Sequence, residues 1–231
     1  MVGGSHQGLV RSRNEDNFWF DSKKNIAVVA DGLGGHQRGD LASQMVVDCI
    51  RENSDMFPSG RGVSDFMKQL ILNINTQVMD KAYSEPSFYG MSSTVACIYY
   101  IDDTVYIANV GDSRVYLIVE NNIWQLTIDH NIGTSLQRKL IFKDKVPKTI
   151  SDKALTNVVG SKRCMPDVFS FKVEKNHIFL AVTDGVFNML NTKQILKIVT
   201  QSKFEDIVDI IIKDSNQSGG IDNITVVGCL V

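Results

Sequence analysis

Asn25-Ile-Ala-Val-Val-Ala-Asp31-Gly32 and Ile178-Phe-Leu-Ala-Val-Thr-Asp184-Gly185 repeat one design at two distant places in the chain. Each is a short apolar run closed by Asp-Gly. Such a run reads as a buried strand that stops abruptly, the glycine allowing a sharp turn and the aspartate left at the strand end. Strands as continuously apolar as 178–183 are covered on both faces. Two further acids stand at similar junctions. Asp112 lies between the strand-like runs 104–109 and 114–119, and Asp222 lies just before 224–230. Four carboxylates at four strand ends would repel one another if they met in one place. They can meet only around cations, so the pattern asks for a metal site.

Working outward, further strand-like runs are 17–20, 94–101, 123–127 and 167–173, and Thr104 to Val119 reads as two strands turning at Gly111-Asp112. Helical periodicity appears in 40–56, where Ala42, Met45, Val46, Cys49 and Ile50 share a face. It appears again in 64–82, where Phe66, Leu70, Ile74 and Val78 do so behind Ser64 as a cap. Late in the chain Asn191 is placed to cap a helix. Ser202 with Glu205 forms a capping-box pattern ahead of Ile207, Val208 and Ile211. Strands therefore come in runs, with helices in pairs. That argues against a parallel βαβ sheet and for an α+β fold of two antiparallel sheets packed together and flanked by helix pairs.

A chain of 231 residues with 43% hydrophobic residues builds a full core, and one domain spanning 1–231 is expected. The net charge of −2 favours neither nucleic acid nor an anionic membrane. The apolar runs are strand-length, far below the ~20 residues of a membrane span. Met-Val-Gly-Gly-Ser-His at the start lacks the basic residues and apolar stretch of a signal peptide. The four cysteines are scattered with no Cys-x-x-Cys pair, and Cys49, Cys97 and Cys229 sit among apolar neighbours as small buried hydrophobes. Reduced thiols without a signal point to the cytoplasm.

Several local patterns carry chemistry, and each also has a plain structural reading. In Arg11-Ser-Arg-Asn14-Glu15-Asp16, an extended backbone puts residues 11, 13 and 15 on one face. An arginine there can hold a phosphate oxyanion while the acids hold cations. The alternative is a solvated charged loop. Asp31-Gly32-Leu-Gly34-Gly35-His36 does not have the Gly-x-Gly-x-x-Gly spacing of a nucleotide loop. Its Gly32 carbonyl suits a hard cation, and a plain glycine-rich turn is the other reading. Asp184, Asp222 and Asn223, taken singly, are ordinary turn residues, and Asp112-Ser113 is common turn chemistry. No zinc-hydrolase spacing links His6, His36, His130 and His177; His36 and His130 are the candidates for proton transfer. Gly90-Met-Ser92-Ser93-Thr94 lacks the nucleophile elbow and reads as a turn into a buried strand.

These pieces stand in a fixed order that resembles the type 2C metal-dependent Ser/Thr protein phosphatases, the PPM family, in their compact bacterial form. The matching stretches are Gly8-Leu-Val-Arg11-Ser-Arg-Asn-Glu15-Asp16, Val29-Ala-Asp31-Gly32-Leu-Gly-Gly-His36 with Gly39, Gly90-Met-Ser-Ser-Thr94 and Ala108-Asn-Val-Gly111-Asp112-Ser-Arg114. They continue with Leu126-Thr-Ile-Asp129-His130, Leu155-Thr-Asn-Val-Val-Gly160, Thr183-Asp184-Gly185 and Gly220-Ile-Asp222-Asn223-Ile-Thr-Val-Val. The resemblance implies a four-layer α/β-β/α sandwich with a dinuclear Mg²⁺ or Mn²⁺ site at one end of the sheets. Carried over by position, Asp31 bridges the two metals and Gly32 gives its carbonyl. Asp184 and Asp222 hold the first metal, and Glu15 and Asp16 serve the second. Asp112 with Asp184 forms a weaker third site, and Arg11 binds the substrate phosphate. Leu33 stands where many eukaryotic relatives carry a histidine. Thr156-Asn-Val-Val-Gly160 replaces the commoner Thr-Arg-Ala-Leu-Gly, and the segment 131–154 is short.

The implied activity is hydrolysis of phosphoserine and phosphothreonine in proteins. A water activated between the two ions attacks phosphorus in line, and His36 or a metal-held water protonates the leaving alkoxide. Expected partners are phosphoproteins, a Ser/Thr kinase or its substrates, with the chain a monomer. Two rivals are a pseudophosphatase binding module and a hydrolase of small phosphoesters. The segment 131–154 is locally basic, with Arg138, Lys139, Lys143, Lys145, Lys148 and Lys153 against Asp144 and Asp152, and is expected to act as a flap that selects substrates.

Overall fold

The computed structural model describes residues 1–34, 38–138 and 151–231. His36 and the basic residues Lys139, Lys143, Lys145 and Lys148 lie outside the described residues. In chain order the strands are β1 (Val2–His6), β2 (Asp16–Asp21), β3 (Ile26–Leu33), β4 (Ser92–Ser93), β5 (Val95–Ile101) and β6 (Thr104–Val110). They continue as β7 (Arg114–Val119), β8 (Asn122–Gln125), β9 (Asp167–Lys172), β10 (Ile178–Val182) and β11 (Ile224–Leu230). The α-helices are α1 (Gly39–Glu52), α2 (Val63–Ser84), α3 (Ile132–Arg138), α4 (Asp184–Phe187), α5 (Thr192–Gln201) and α6 (Ile207–Gln217).

One sheet runs β1-β11-β10-β7-β8, and the other runs β2-β3-β5-β6-β9 with β4 paired to the end of β3. Every pairing is antiparallel. Alternation along the buried strands sorts side chains into three apolar layers. Ile26, Val28 and Ala30 of β3 face Ala42, Val46 and Ile50 of α1 and Met67, Ile74 and Val78 of α2. Ala27 and Val29 turn the other way, onto Val115, Phe179, Ala181 and Val227 of the second sheet. On that sheet's far face, Leu180, Val182 and Val226 meet Ile195 of α5 and Ile207 and Ile211 of α6. The expected α/β-β/α sandwich is thus present, and each fully buried Ile, Leu or Phe contributes roughly 1.5–3 kcal/mol to it.

Four local expectations need correction. β3 does not stop at Asp31 but continues to Leu33, because Gly32 and Leu33 pair with Ser93 and Ser92. The runs flanking Asp112 form no hairpin: β6 and β7 belong to different sheets, so the chain crosses the sandwich at Gly111–Ser113. Ser64 does not cap α2. The helix starts at Val63, which is buried there at 1% exposure, and left-handed Gly62 precedes it. Ser202 instead ends α5, and a 3-10 turn over Phe204–Asp206 leads into α6 in place of a capping box. Asn191 does cap α5, in a reciprocal box with Gln194.

Candidate metal centre and phosphate site

The acidic residues singled out in the sequence collect at one end of the two sheets. Asp16 opens β2 and is paired in register with Asp31 of β3. Asp184 opens α4 directly after β10, Asp222 lies just before β11, and Asp112 sits where the chain crosses between sheets. Hydrogen bonds join the sheets here. Asp16 Oδ2 accepts from Thr183 Oγ1 at 2.8 Å and from Thr225 Oγ1 at 2.7 Å, both hydroxyls coming from the opposite sheet. The backbone of Asp31 is fixed by Thr94: its N–H donates to Thr94 Oγ1 at 2.9 Å, and its carbonyl accepts Thr94 N–H at 2.9 Å.

Gly32 sits in a cradle with no room for a side chain. Its N–H donates to the Glu15 carbonyl at 3.1 Å. A Cβ on Gly32 would stand 2.1 Å from the Gly39 carbonyl oxygen and 2.5 Å from that of Glu15. The glycine is therefore required for α1 to close onto β3 and for Glu15 to lie beside Asp31.

The electrostatics are those of crowded anions. Burial, then Asp16, Asp184, Asp112 and Asp222, raise the Asp31 carboxyl well above its usual range. Burial pushes Asp16 up to about 7 despite its two threonine donors, with Asp184 and Asp222 adding to the rise. Burial and Asp184 push Asp112 up to about 7, and burial and Asp222 push Asp184 up to about 6. Burial, then Asp40, raises Glu15. Two oxygens in this group are buried without a hydrogen-bond partner, Glu15 Oε1 and Asp16 Oδ1. Among the described residues no three His, Cys, Asp or Glu side chains close into a finished metal shell. Asp222 is engaged with Arg11 Nη2 at 2.7 Å, and Asp184 Oδ2 with Asn188 Nδ2 at 2.9 Å. The donor set nonetheless fits hard divalent ions: oxygen ligands only, mutually repelling, with orphaned buried oxygens that call for positive charge.

Arg11 supplies the cationic edge. Its side chain is 49% exposed, and its hydrogen bond to Asp222 raises its pKa further. No cysteine is placed as a thiolate nucleophile. All four cysteines are free and buried, and burial pushes Cys97 and Cys229 up to about 12 and Cys164 to about 11.

The sequence profile of the family described as Protein phosphatase 2C matches residues 3–219. The chain belongs to the protein phosphatase 2C family. It is 33% identical over 230 residues to the serine/threonine phosphatase stp of Listeria welshimeri, covering 95% of this chain and 91% of that protein. Similarity to protein phosphatase PhpP of Streptococcus pneumoniae is 27% over 237 residues, with 95% and 92% covered. The solved serine/threonine phosphatase of S. agalactiae superposes with a TM-score of 0.89 at 26% identity, covering 100% of this chain and 98% of the other. The catalytic domain of the phosphatase PstP, solved with two manganese ions, shares the fold at a TM-score of 0.87 and 24% identity, with 100% and 97% covered. The type 2C, metal-dependent protein phosphatase family expected from the ordered motifs is the family found.

Within this phosphatase the remaining motif residues are structural supports. His130 has both ring nitrogens engaged: Nδ1 accepts Gly111 N–H at 3.1 Å, and Nε2 lies 3.0 Å from Asp167 Oδ2. Arg114 pairs with Asp129 through Nε (3.0 Å) and Nη2 (2.7 Å), and its guanidinium lies 3.6 Å from the centroid of Phe187 in α4, three residues past Asp184. Three threonines, Thr94, Thr183 and Thr225, position Asp31 and Asp16. In the sequence all three stand within the motif stretches, but nothing local marks them as partners of Asp31 and Asp16. Lys153 of the basic segment reaches Asn188 Oδ1 at 3.0 Å, and among the described residues α3 forms the segment's first part. Among the described residues no helix is long and apolar enough to cross a membrane.

Proposed function

We propose that the chain removes phosphate from phosphoserine and phosphothreonine in proteins, as one catalytic domain over residues 1–231 that uses Mg²⁺ or Mn²⁺. Asp31 would be shared between two ions, with the Gly32 carbonyl beside it. Asp184 and Asp222 would hold one ion and Glu15 and Asp16 the other. Asp112 with Asp184 would take a weaker third. When bound, such ions lower the pKa of the attacking water and neutralise the phosphoryl oxygens.

The chain's own groups do the rest. Thr183 and Thr225 fix Asp16 through Oδ2 and leave Oδ1 without a donor. Asn188 holds Asp184 by one oxygen. Arg11, half exposed, offers the remaining guanidinium hydrogens to a phosphate monoester, a geometry the planar fork suits. His36 is proposed to give the proton to the leaving alkoxide. The observation that carries this reading is the cluster of carboxylates drawn from both sheets, with orphaned buried oxygens, next to an exposed guanidinium.

Rates on a phosphothreonine peptide, 4-nitrophenyl phosphate and a nucleoside triphosphate, with chelator and after Mn²⁺ or Mg²⁺ is restored, test it. Chelator should abolish hydrolysis, either ion should restore it, and the peptide should be preferred to the nucleotide. Full activity in chelator would overturn the metal reading. Preference for the nucleotide would overturn the protein-substrate reading, and no turnover with metal would leave a binding module.

A further inference from the structure

Asn223 follows Asp222 in the turn that leads into β11. Its side chain is 6% exposed and is directed at another part of the chain. Nδ2 donates to the carbonyls of Gln7 at 2.8 Å and Arg13 at 2.9 Å, and Oδ1 accepts the Glu15 N–H at 2.9 Å. Gln7 in turn donates from Nε2 to the carbonyl of Arg11 at 2.6 Å. The same loop is pressed onto the Gly220–Asp222 turn at a second point. Leu9 N–H donates to the Gly220 carbonyl at 2.7 Å, and a Cβ on Gly8 would stand 2.2 Å from the Asp222 carbonyl oxygen. Residues 7–15 connect β1 to β2, two edge strands of different sheets, so these contacts decide where the loop lies.

We propose that Asn223 is a positioning residue for the phosphate-binding arginine, fixing the loop 7–15 onto the strand end that carries Asp222. The inference rests on the reading of Arg11 as the phosphate ligand. An arginine side chain has many rotamers, and ordering it on each substrate encounter is unfavourable; a backbone already held reduces that loss. An amide suits the task because it donates twice and accepts at once, which no carboxylate or hydroxyl of similar size can do. Asn223 thereby sets Arg11 by way of Gln7 and Arg13, and sets Glu15 directly.

The test is a set of variants, Asn223→Ala, Gln7→Met, Arg11→Ala and the double Gln7→Met/Arg11→Ala, assayed on a phosphothreonine peptide at saturating Mn²⁺. Asn223→Ala should lower kcat/KM about tenfold or more, in KM as well as kcat, since it removes three hydrogen bonds. Gln7→Met, at an exposed site that folding tolerates, should lower it about twofold to fivefold through KM. In the Arg11→Ala background Gln7→Met should have no further effect, because its route runs through Arg11. In metal-free protein, amide exchange at Glu15 should quicken in Asn223→Ala while the β3 amides stay protected.

Independent, multiplicative effects of Gln7→Met and Arg11→Ala would overturn the proposal, as would unchanged KM and unchanged Glu15 exchange in Asn223→Ala. If Asn223→Ala fails to fold, Asn223→Asp, which keeps the acceptor for Glu15 and loses both donors to Gln7 and Arg13, takes its place, and a wild-type KM in it would overturn the proposal. Wild-type kinetics in Arg11→Ala would overturn the phosphate reading itself. Impaired Arg11→Ala with wild-type Gln7→Met and Asn223→Ala would overturn only this inference.

Discussion

Replacing Asp16 with asparagine should stabilise the metal-free protein and weaken its response to metal. Asp16 is 5% exposed, and burial, with Asp184 and Asp222 beside it, pushes its carboxyl from the usual 3.8 to about 7. A rise of that size corresponds to about 4 kcal/mol of preference for the neutral form. The folded chain therefore binds this proton more tightly than the unfolded chain. Stability from this group is full below about pH 4 and is lost as pH rises toward about 7. The amide removes the charge and keeps an oxygen for Thr183 and Thr225, but its NH₂ then occupies the place of the partnerless Oδ1. That unpaired donor costs about 1–3 kcal/mol. The net gain at pH 8 is about 1–3 kcal/mol, or roughly 3–10 °C in Tm. Near pH 5 only about two fifths of the charge penalty remains, so the advantage should vanish there. Thermal melts in chelator at pH 5 and pH 8, repeated with Mn²⁺, measure all of this. With Mn²⁺ the parent should overtake the variant, since binding to the native state adds stability. An Asp16→Asn protein that melts no higher than the parent at pH 8 without metal would refute the reasoning. So would equal gains of the two proteins on adding Mn²⁺.

Arg11→Ala should raise KM for a phosphopeptide and slow turnover while Mn²⁺ affinity by calorimetry stays nearly constant; Arg11→Lys should rescue only part, because an ammonium cannot make the forked contact. Gly32→Ala should destabilise the fold by about 1–3 kcal/mol or more, because the new Cβ meets the carbonyls of Gly39 and Glu15; an unchanged urea midpoint would contradict the cradle. Arg114→Lys keeps the charge but loses the paired contacts to Asp129 and the stacking on Phe187. It should cost about 1–3 kcal/mol in urea unfolding and weaken Mn²⁺ binding through α4.

The layers were legible because the periodicities are strong. β3 is apolar from Ile26 to Ala30 and β10 at every position, and the α1 and α2 faces repeat at helical spacing, so each element declares its burial locally. β1 was not legible, and its glycines are the reason. Val-Gly-Gly-Ser-His has poor strand propensity, yet a Cβ on Gly3 would meet the Phe20 ring at 2.8 Å and one on Gly4 would meet Val208 at 2.9 Å. Packing from outside the segment, not its own preference, makes it a strand. The crossing at Gly111–Ser113 was hidden for a related reason. Two strands joined by three residues look the same in sequence whether they pair or part. Here they part, and Thr94 packs against the crossing: a Cβ at Gly111 would lie only 2.5 Å from the Thr94 methyl, and the Thr94 hydroxyl lies 2.6 Å from Ser113 Oγ.

The anions of the site could be read from the sequence, whereas the contacts that hold them could not. An aspartate at the end of an apolar strand stands out because charge is unfavourable there unless something compensates it. A threonine or asparagine in the same place looks ordinary. Thr183 lies 167 residues from Asp16, Thr225 lies 209 away, and Asn223 lies 208 from Glu15, so no local spacing links them. Their contacts also explain why the cluster survives in a folded chain. Asp16 Oδ2 receives two hydroxyls and Oδ1 none, Asp184 receives one amide, and Asp222 receives Arg11. The protein satisfies enough of each carboxylate to fix its position and leaves Asp16 Oδ1 and Glu15 Oε1 without a donor. Full satisfaction would give a rigid hydrogen-bonded network with little need for a cation, and no satisfaction would leave the strand ends free to splay. Partial satisfaction by neutral donors keeps the acids together and keeps their demand for positive charge unmet, which is the condition under which divalent ions bind strongly and specifically.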